Sequence, residues 1–119
     1  MAEHVLRDME SFDAALTQPR VLLFKHSPIC PISATARAEY ELFRLDHPDV
    51  PTLFVDGLSS RATARAIAER CGVPHESPQA ILFEAGVAAW NASHAAITNA
   101  ALTAALSLIH ISEPTRLDD

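Results

Sequence analysis

The chain has 119 residues, 49% of them hydrophobic and 20% charged, which bounds it to one domain around a single core. A formal net charge of -6, with no basic run and no interleaving of basic and aromatic side chains, gives no electrostatic footprint for nucleic acid. Met1-Ala-Glu-His-Val-Leu-Arg-Asp8 lacks the basic head and continuous apolar run of a secretory signal, and two cysteines are too few for a disulfide framework, so a reducing cytoplasm is the expected compartment.

Val5, Met9, Phe12 and Leu16 recur at spacings of four, three and four, which predicts an amphipathic helix ending before Pro19. Val21 to Phe24 predicts a short strand that runs into Lys25-His26-Ser27-Pro28-Ile29-Cys30-Pro31-Ile32-Ser33. Ile32, Ala36, Tyr40 and Phe43 form the apolar stripe of the next helix, with Pro31 in its first turn, where no N–H is needed. Cys30 therefore falls at a strand-to-helix junction. Backbone N–H groups are unpaired at such a junction and the helix dipole is positive, which favours the thiolate form of a cysteine.

After the turn at Asp46-His-Pro-Asp49, Thr52 to Val55 predicts a second strand. Ser59 or Ser60 is the expected cap of a helix whose inner face is Ala64, Ile67, Ala68 and Cys71, with Gly72 as its stop. That spacing puts Cys71 on the packed apolar stripe, so a structural role is expected ahead of a resolving one. Ala80 to Phe83 and Val87 to Trp90, joined by Glu84-Ala85-Gly86, predict an antiparallel hairpin, and a last helix begins near Thr98. The stretch from Asn91 to Ile111 has no Asp, Glu, Lys or Arg, but Asn, Ser, Thr and His interrupt it too often for a membrane span.

This order of elements predicts an α/β protein with a thioredoxin-like fold: a central four-stranded mixed sheet flanked by helices, with an extra N-terminal helix. Ser77-Pro78 stands immediately before the third predicted strand, where thioredoxin-like proteins hold a cis-proline facing the nucleophile. Proline is the one residue for which a cis peptide costs little, and such a turn leaves the Ser77 backbone free to pair with an extended substrate strand.

The chemistry expected at Cys30 follows from position 33. Dithiol redox proteins carry a second cysteine there, whereas this chain has Ser33, and a hydroxyl cannot form a disulfide. A mixed disulfide on Cys30 must then be resolved by an external thiol, which is monothiol exchange. Ser33 either donates a hydrogen bond to the Cys30 sulfur or satisfies a backbone N–H at the helix start. Lys25 and His26 are the candidate cations beside the thiolate. His26 has no accompanying cysteine–histidine pair at ligand spacing, so no metal is expected. A phosphatase loop needs an arginine where Ala36 stands, with Arg37 one residue too far, and no threonine between Pro19 and Cys30 could orient a peroxide.

The segment from Lys25 to Ser33, together with Ser77-Pro78-Gln79 and Trp90-Asn91-Ala92-Ser93-His94, resembles the monothiol bacilliredoxin family from the first helix to about Leu106. The resemblance implies removal of bacillithiol from mixed disulfides on protein cysteines. It implies bacillithiol as a co-substrate, no tightly bound cofactor, and S-bacillithiolated client proteins and a low-molecular-weight thiol as partners. Cys30 is then the nucleophile, Pro31, Ser33, Lys25 and His26 support its thiolate, and Ser77, Pro78, Ser93 and His94 line the substrate groove. The chain departs from the family after His94, where Ala95-Ala96 replaces an expected aromatic residue. A noncatalytic thioredoxin-like peptide-binding module and a glutathione-linked monothiol glutaredoxin are the alternatives.

Leu106-Ser-Leu-Ile-His-Ile-Ser-Glu-Pro-Thr-Arg116 reads as an in-frame translation of a transposase-type sequencing adapter, and Leu117 agrees with the first base of the following codon. The thioredoxin-like domain is accordingly expected over residues 1–106, with 107–119 as a non-native tail. Removing the tail's net charge of -2 leaves -4 on the remainder.

Overall fold

In the computed structural model, which describes residues 3–115, the Asp8 carboxylate accepts a hydrogen bond from Ser11 N–H at 2.8 Å and so caps α1 (Met9–Ala15). This cap leaves Val5 outside the helix. Glu3–Val5 instead form β1, parallel to Thr52 through Phe54. Val5 lies at helical spacing from Met9 by coincidence, and three residues are too few to show a strand's alternation. The sheet consequently has five strands where the sequence predicts four.

The other strands are β2 (Arg20–His26), β3 (Thr52–Asp56), β4 (Gln79–Glu84) and β5 (Val87–Ser93), in the order β1-β3-β2-β4-β5. β1, β3 and β2 run parallel, while β4 and β5 are antiparallel to their neighbours. The β4–β5 turn uses Ala85 and Gly86 at φ of 53° and 82°, the left-handed pair that a two-residue hairpin turn requires.

Alternation along β2 builds two cores. Leu22 and Phe24 pack with Ala36, Tyr40 and Phe43 of α2 (Pro31–Asp46) and with Leu102 and Ala105 of α4 (Asn99–Thr115). The Phe24 and Tyr40 rings stack at 4.5 Å. On the opposite face Val21 and Leu23 pack with Phe12 and with Ala64 and Ile67 of α3 (Arg61–Cys71). The predicted stripe of α2 is corrected at its first member: Ile32 is 47% exposed, and Ser33 is the buried residue of that turn.

Gly72 closes α3 in the left-handed region at φ 76°, as its position predicts. Ser60 occupies the N-cap position without a side-chain cap bond, and Asp56 Oδ1 accepts instead from Leu58 N–H at 2.8 Å and Ser59 N–H at 3.1 Å. Thr98 Oγ1 accepts from Ala101 N–H at 3.0 Å at the start of α4. That helix runs on through Leu106 to Thr115, and Arg116 to Asp119 of the expected tail lie outside the described residues. No helix among the described residues is long and apolar enough to cross a membrane.

Candidate active site

Cys30 is the N-cap residue of α2, in extended conformation at φ -106° and ψ 121°. Its C=O accepts from Ser33 N–H at 3.0 Å and Ala34 N–H at 3.4 Å, which begins the helix, while its own N–H donates to Ser27 C=O at 3.2 Å. Pro31 follows in the first turn, as predicted. Cys30 is half-buried and free, and it stands at the positive end of a 16-residue helix.

Ser33 is fully buried, and its hydroxyl is tied away from the sulfur. Its Oγ accepts from Ser27 N–H at 2.9 Å and lies 3.0 Å from His26 Nδ1. Of the two expected roles, the helix-start role is the one formed: among the described residues the Ser33 hydroxyl pairs with Ser27 N–H and His26 Nδ1 and not with the Cys30 sulfur. Burial, with the charge of Arg37 nearby and partly opposed by Asp56, pushes the His26 imidazole below the ordinary histidine range. The neutral imidazole is thereby favoured. Its Nδ1 is placed as a hydrogen-bond partner of the Ser33 hydroxyl.

Lys25 lies on the other side of the sheet. It is fully buried and its Nζ donates to His75 Nδ1 at 3.2 Å. Burial lowers its pKa to about 8, with Cys71 and Glu76 acting in the opposite direction. The expected pairing of Lys25 and His26 at one sulfur is thus split, because neighbouring residues of a strand point to opposite faces. Cys71 packs beside the α3-side core, in the structural position its spacing predicts.

The strand register brings the remaining expected residues together. Lys25 pairs with Gln79, and Gln79 with Ser93, so the end of β2, the start of β4 and the end of β5 lie side by side. The Ser77–Pro78 peptide bond is cis, and Pro78 C=O accepts from His94 N–H at 3.0 Å. His94 takes a left-handed φ of 58° to open a short 3-10 turn, His94–Ala96, and its Nε2 lies 3.5 Å from the Glu76 carboxylate. Ser77, Pro78, Ser93 and His94 are therefore gathered at the edge from which the Cys30 loop leaves the sheet.

Two grooves flank that edge. One, of about 250 Å³, is lined by Ile32, Ala36, Glu39, His94, Ala95 and Ile97 and is mainly apolar. The other, of about 350 Å³, is lined by Ser27, Ile29, Gly57, Arg61, Arg65, His75 and Ser77, among others. Cys30 stands between Ile29 and Ile32, one of which belongs to each groove. The sequence reading missed Gly57, Arg61, Arg65 and His75; the four-residue spacing of the two arginines was the available signal, and it also fits a solvated helix face. A third cavity, beside His4, Ala14 and Pro51, lies at the far end of β3. No group of three His, Cys, Asp or Glu side chains among the described residues is arranged to hold a metal ion.

Strand order, helix placement and a cysteine at the open mouth of α2 put the chain among the thioredoxin-fold thiol oxidoreductases. Residues 4–102 match the family described as monothiol bacilliredoxin BrxC, and the chain belongs to that family. It is 30% identical to a solved structure described as a candidate oxidoreductase with a thioredoxin fold, at a TM-score of 0.82, covering 87% of this chain and 93% of that one. Thioredoxin from Trypanosoma brucei brucei is similar in fold at a TM-score of 0.73 and 17% identity, covering 91% and 90% of the two chains. Mitochondrial thioredoxin 3 from Saccharomyces cerevisiae follows at 0.70 and 18%, covering 87% and 92%.

Proposed function

We propose that the chain is a monothiol thiol–disulfide oxidoreductase that removes bacillithiol from S-bacillithiolated protein cysteines through Cys30. Family membership supports this reading, and one observation carries it. A half-buried cysteine caps α2, and the place of a second thiol three residues on holds a buried serine committed to Ser27 and His26.

Cys30 attacks as the thiolate, in line with the mixed disulfide. A bond forms between the Cys30 sulfur and the bacillithiol sulfur as the client–bacillithiol bond breaks, and the client leaves as a thiolate that takes up a proton. A second low-molecular-weight thiolate then attacks the bacillithiol sulfur, releasing Cys30 and departing as a small disulfide. Each step exchanges one disulfide for another, with no net oxidation. Bacillithiol is a co-substrate in this scheme and no bound cofactor takes part.

The apolar groove beside Ile32 and His94 suits the client chain, and the Ser77 backbone, next to Pro78 at the edge the two grooves flank, offers strand pairing to the segment that crosses Cys30. Two unpaired cysteines suit a reducing cytoplasm. The test is intact-mass analysis after incubation with a bacillithiolated peptide. Wild type gains one bacillithiol and Cys30→Ser gains none; an adduct carried mainly by Cys71 overturns the assignment.

A further inference from the structure

Arg61 and Arg65 stand one helical turn apart on α3 and line the groove that reaches Ser27, Ile29 and Ser77 beside Cys30. Both residues are exposed, and neither forms an ion pair among the described residues, whereas Arg37, Arg44 and Arg70 each hold a carboxylate. Of the acids near them in the chain, Asp56 Oδ1 accepts from Leu58 and Ser59 N–H, Glu76 faces His94, and Glu69, one helical turn beyond Arg65, forms no ion pair with it among the described residues.

The groove is positive and polar at its base. Burial, with the fields of Lys25 and Arg65 and partly opposed by Glu76, holds the His75 imidazole below the usual histidine range. Ser77 Oγ is buried with no hydrogen-bond partner among the described residues. A side chain at Gly57 would meet Ser77 Oγ at 3.3 Å and His26 C=O at 3.4 Å, so the glycine keeps the floor open.

We propose that this groove binds the carboxylates of the small-thiol half of the mixed disulfide, with Arg61 and Arg65 as ion-pair partners and Ser77 Oγ as a further donor. The proposal rests on exchange at Cys30 as set out above. It divides the substrate between two walls: the client peptide lies in the apolar groove, and the carboxylate-bearing thiol lies on the α3 side. Guanidinium groups suit this task because they bind carboxylates through paired, charge-assisted hydrogen bonds. Anchoring the small thiol also selects which sulfur is attacked, since its sulfur stays at Cys30 while the client sulfur departs. Bacillithiol and glutathione both carry carboxylates and share this chemistry.

The test is steady-state exchange on one peptide carrying bacillithiol, glutathione or uncharged 2-mercaptoethanol, with wild type and the double variant Arg61→Gln/Arg65→Gln. Thermal unfolding midpoints check the fold, and the two single variants give the same readout should the double variant melt early. The KM for each acidic adduct is expected to rise about tenfold relative to that for the neutral adduct, equivalent to about 1.4 kcal/mol. The lower wild-type KM of the two acidic adducts identifies the thiol. Arg61→Lys/Arg65→Lys, which keeps the charge but loses the paired geometry, recovers part of the loss. An equal rise for all three adducts, or none, overturns the groove assignment while exchange at Cys30 stands. Wild type that turns over no adduct overturns the exchange reading, and the groove assignment with it.

Discussion

Ser33 Oγ lies 3.0 Å from His26 Nδ1 while accepting Ser27 N–H at 2.9 Å, so the hydroxyl at the resolving position braces the end of β2 against the first turn of α2. The brace fixes the loop that carries Cys30. It also occupies the side-chain oxygen, the one side-chain polar atom that this position could offer the sulfur.

Ser33→Ala removes a buried hydroxyl and leaves two groups short of a partner, at an expected cost of about 1–3 kcal/mol in folding stability. Urea unfolding of wild type and variant measures it. Exchange per folded molecule should change by less than about twofold, since in free-energy terms a group off the sulfur contributes little to the reaction at it. A rate loss of more than about tenfold would restore the donor role to Ser33.

Ser33→Cys makes position 33 a thiol one helical turn from Cys30 and converts external resolution into internal resolution. Mild oxidation should then yield a product lighter by two hydrogens, with a disulfide between Cys30 and the introduced thiol found by peptide mapping. Wild type treated in the same way should show no internal link at Cys30.

How much of this was legible in the sequence depended on how local each signal was. The junction at Cys30 was readable because strand, cysteine, proline and helix are contiguous, and the fold class followed from the order of such segments. β1 was not readable: three residues whose pairing partner begins 49 positions away carry no periodicity of their own. The opposite directions of Lys25 and His26 were present in the period-two pattern, with Leu23 and Phe24 ahead of them on the two faces, although closeness in sequence suggested closeness in space. The wall formed by Gly57, Arg61, Arg65 and Ser77 joins the β3–α3 loop, α3 and the loop before β4, and only the register of the sheet brings these together.

Lys25 is a buried cation whose pKa falls from 10.5 to about 8 on folding, chiefly through burial. Between those values the unfolded chain holds a proton that the folded chain has released. Stability attributable to Lys25 therefore rises with pH across that window. The difference in unfolding free energy between wild type and Lys25→Met should shift in favour of wild type by on the order of 2 kcal/mol from pH 7 to pH 10. Chemical denaturation at the two pH values checks this, and a pH-independent difference would place the ammonium in solvent.

Cys71 packs against the α3-side core rather than at the mouth of α2. Cys71→Ala should lower stability by about 1 kcal/mol or less, because the removed atom is small and only half-buried. The number of bacillithiol adducts acquired by the protein should stay at one. Loss of turnover on a bacillithiolated peptide, with the first adduct still forming on Cys30, would instead make Cys71 a resolving thiol.

Ile32 is the exposed apolar residue next to the nucleophile's helix start, 47% accessible and set in the groove with Ala95 and Ile97. An aliphatic side chain in that position contributes nothing to the core that Ser33, Ala36 and Tyr40 do not already close. Ile32→Ser should therefore leave folding stability within about 0.5 kcal/mol. If the groove takes the client chain, the variant loses apolar contact with peptides and keeps contact with small disulfides. The KM for a bacillithiolated peptide with apolar residues flanking its cysteine should rise about five- to tenfold, the effect of roughly 1 kcal/mol of lost burial. Exchange with a small disulfide that has no peptide part should be unaffected. Equal losses on both substrates would mean that Ile32 acts by shaping the Cys30 loop, and the client would then have to be sought along another face.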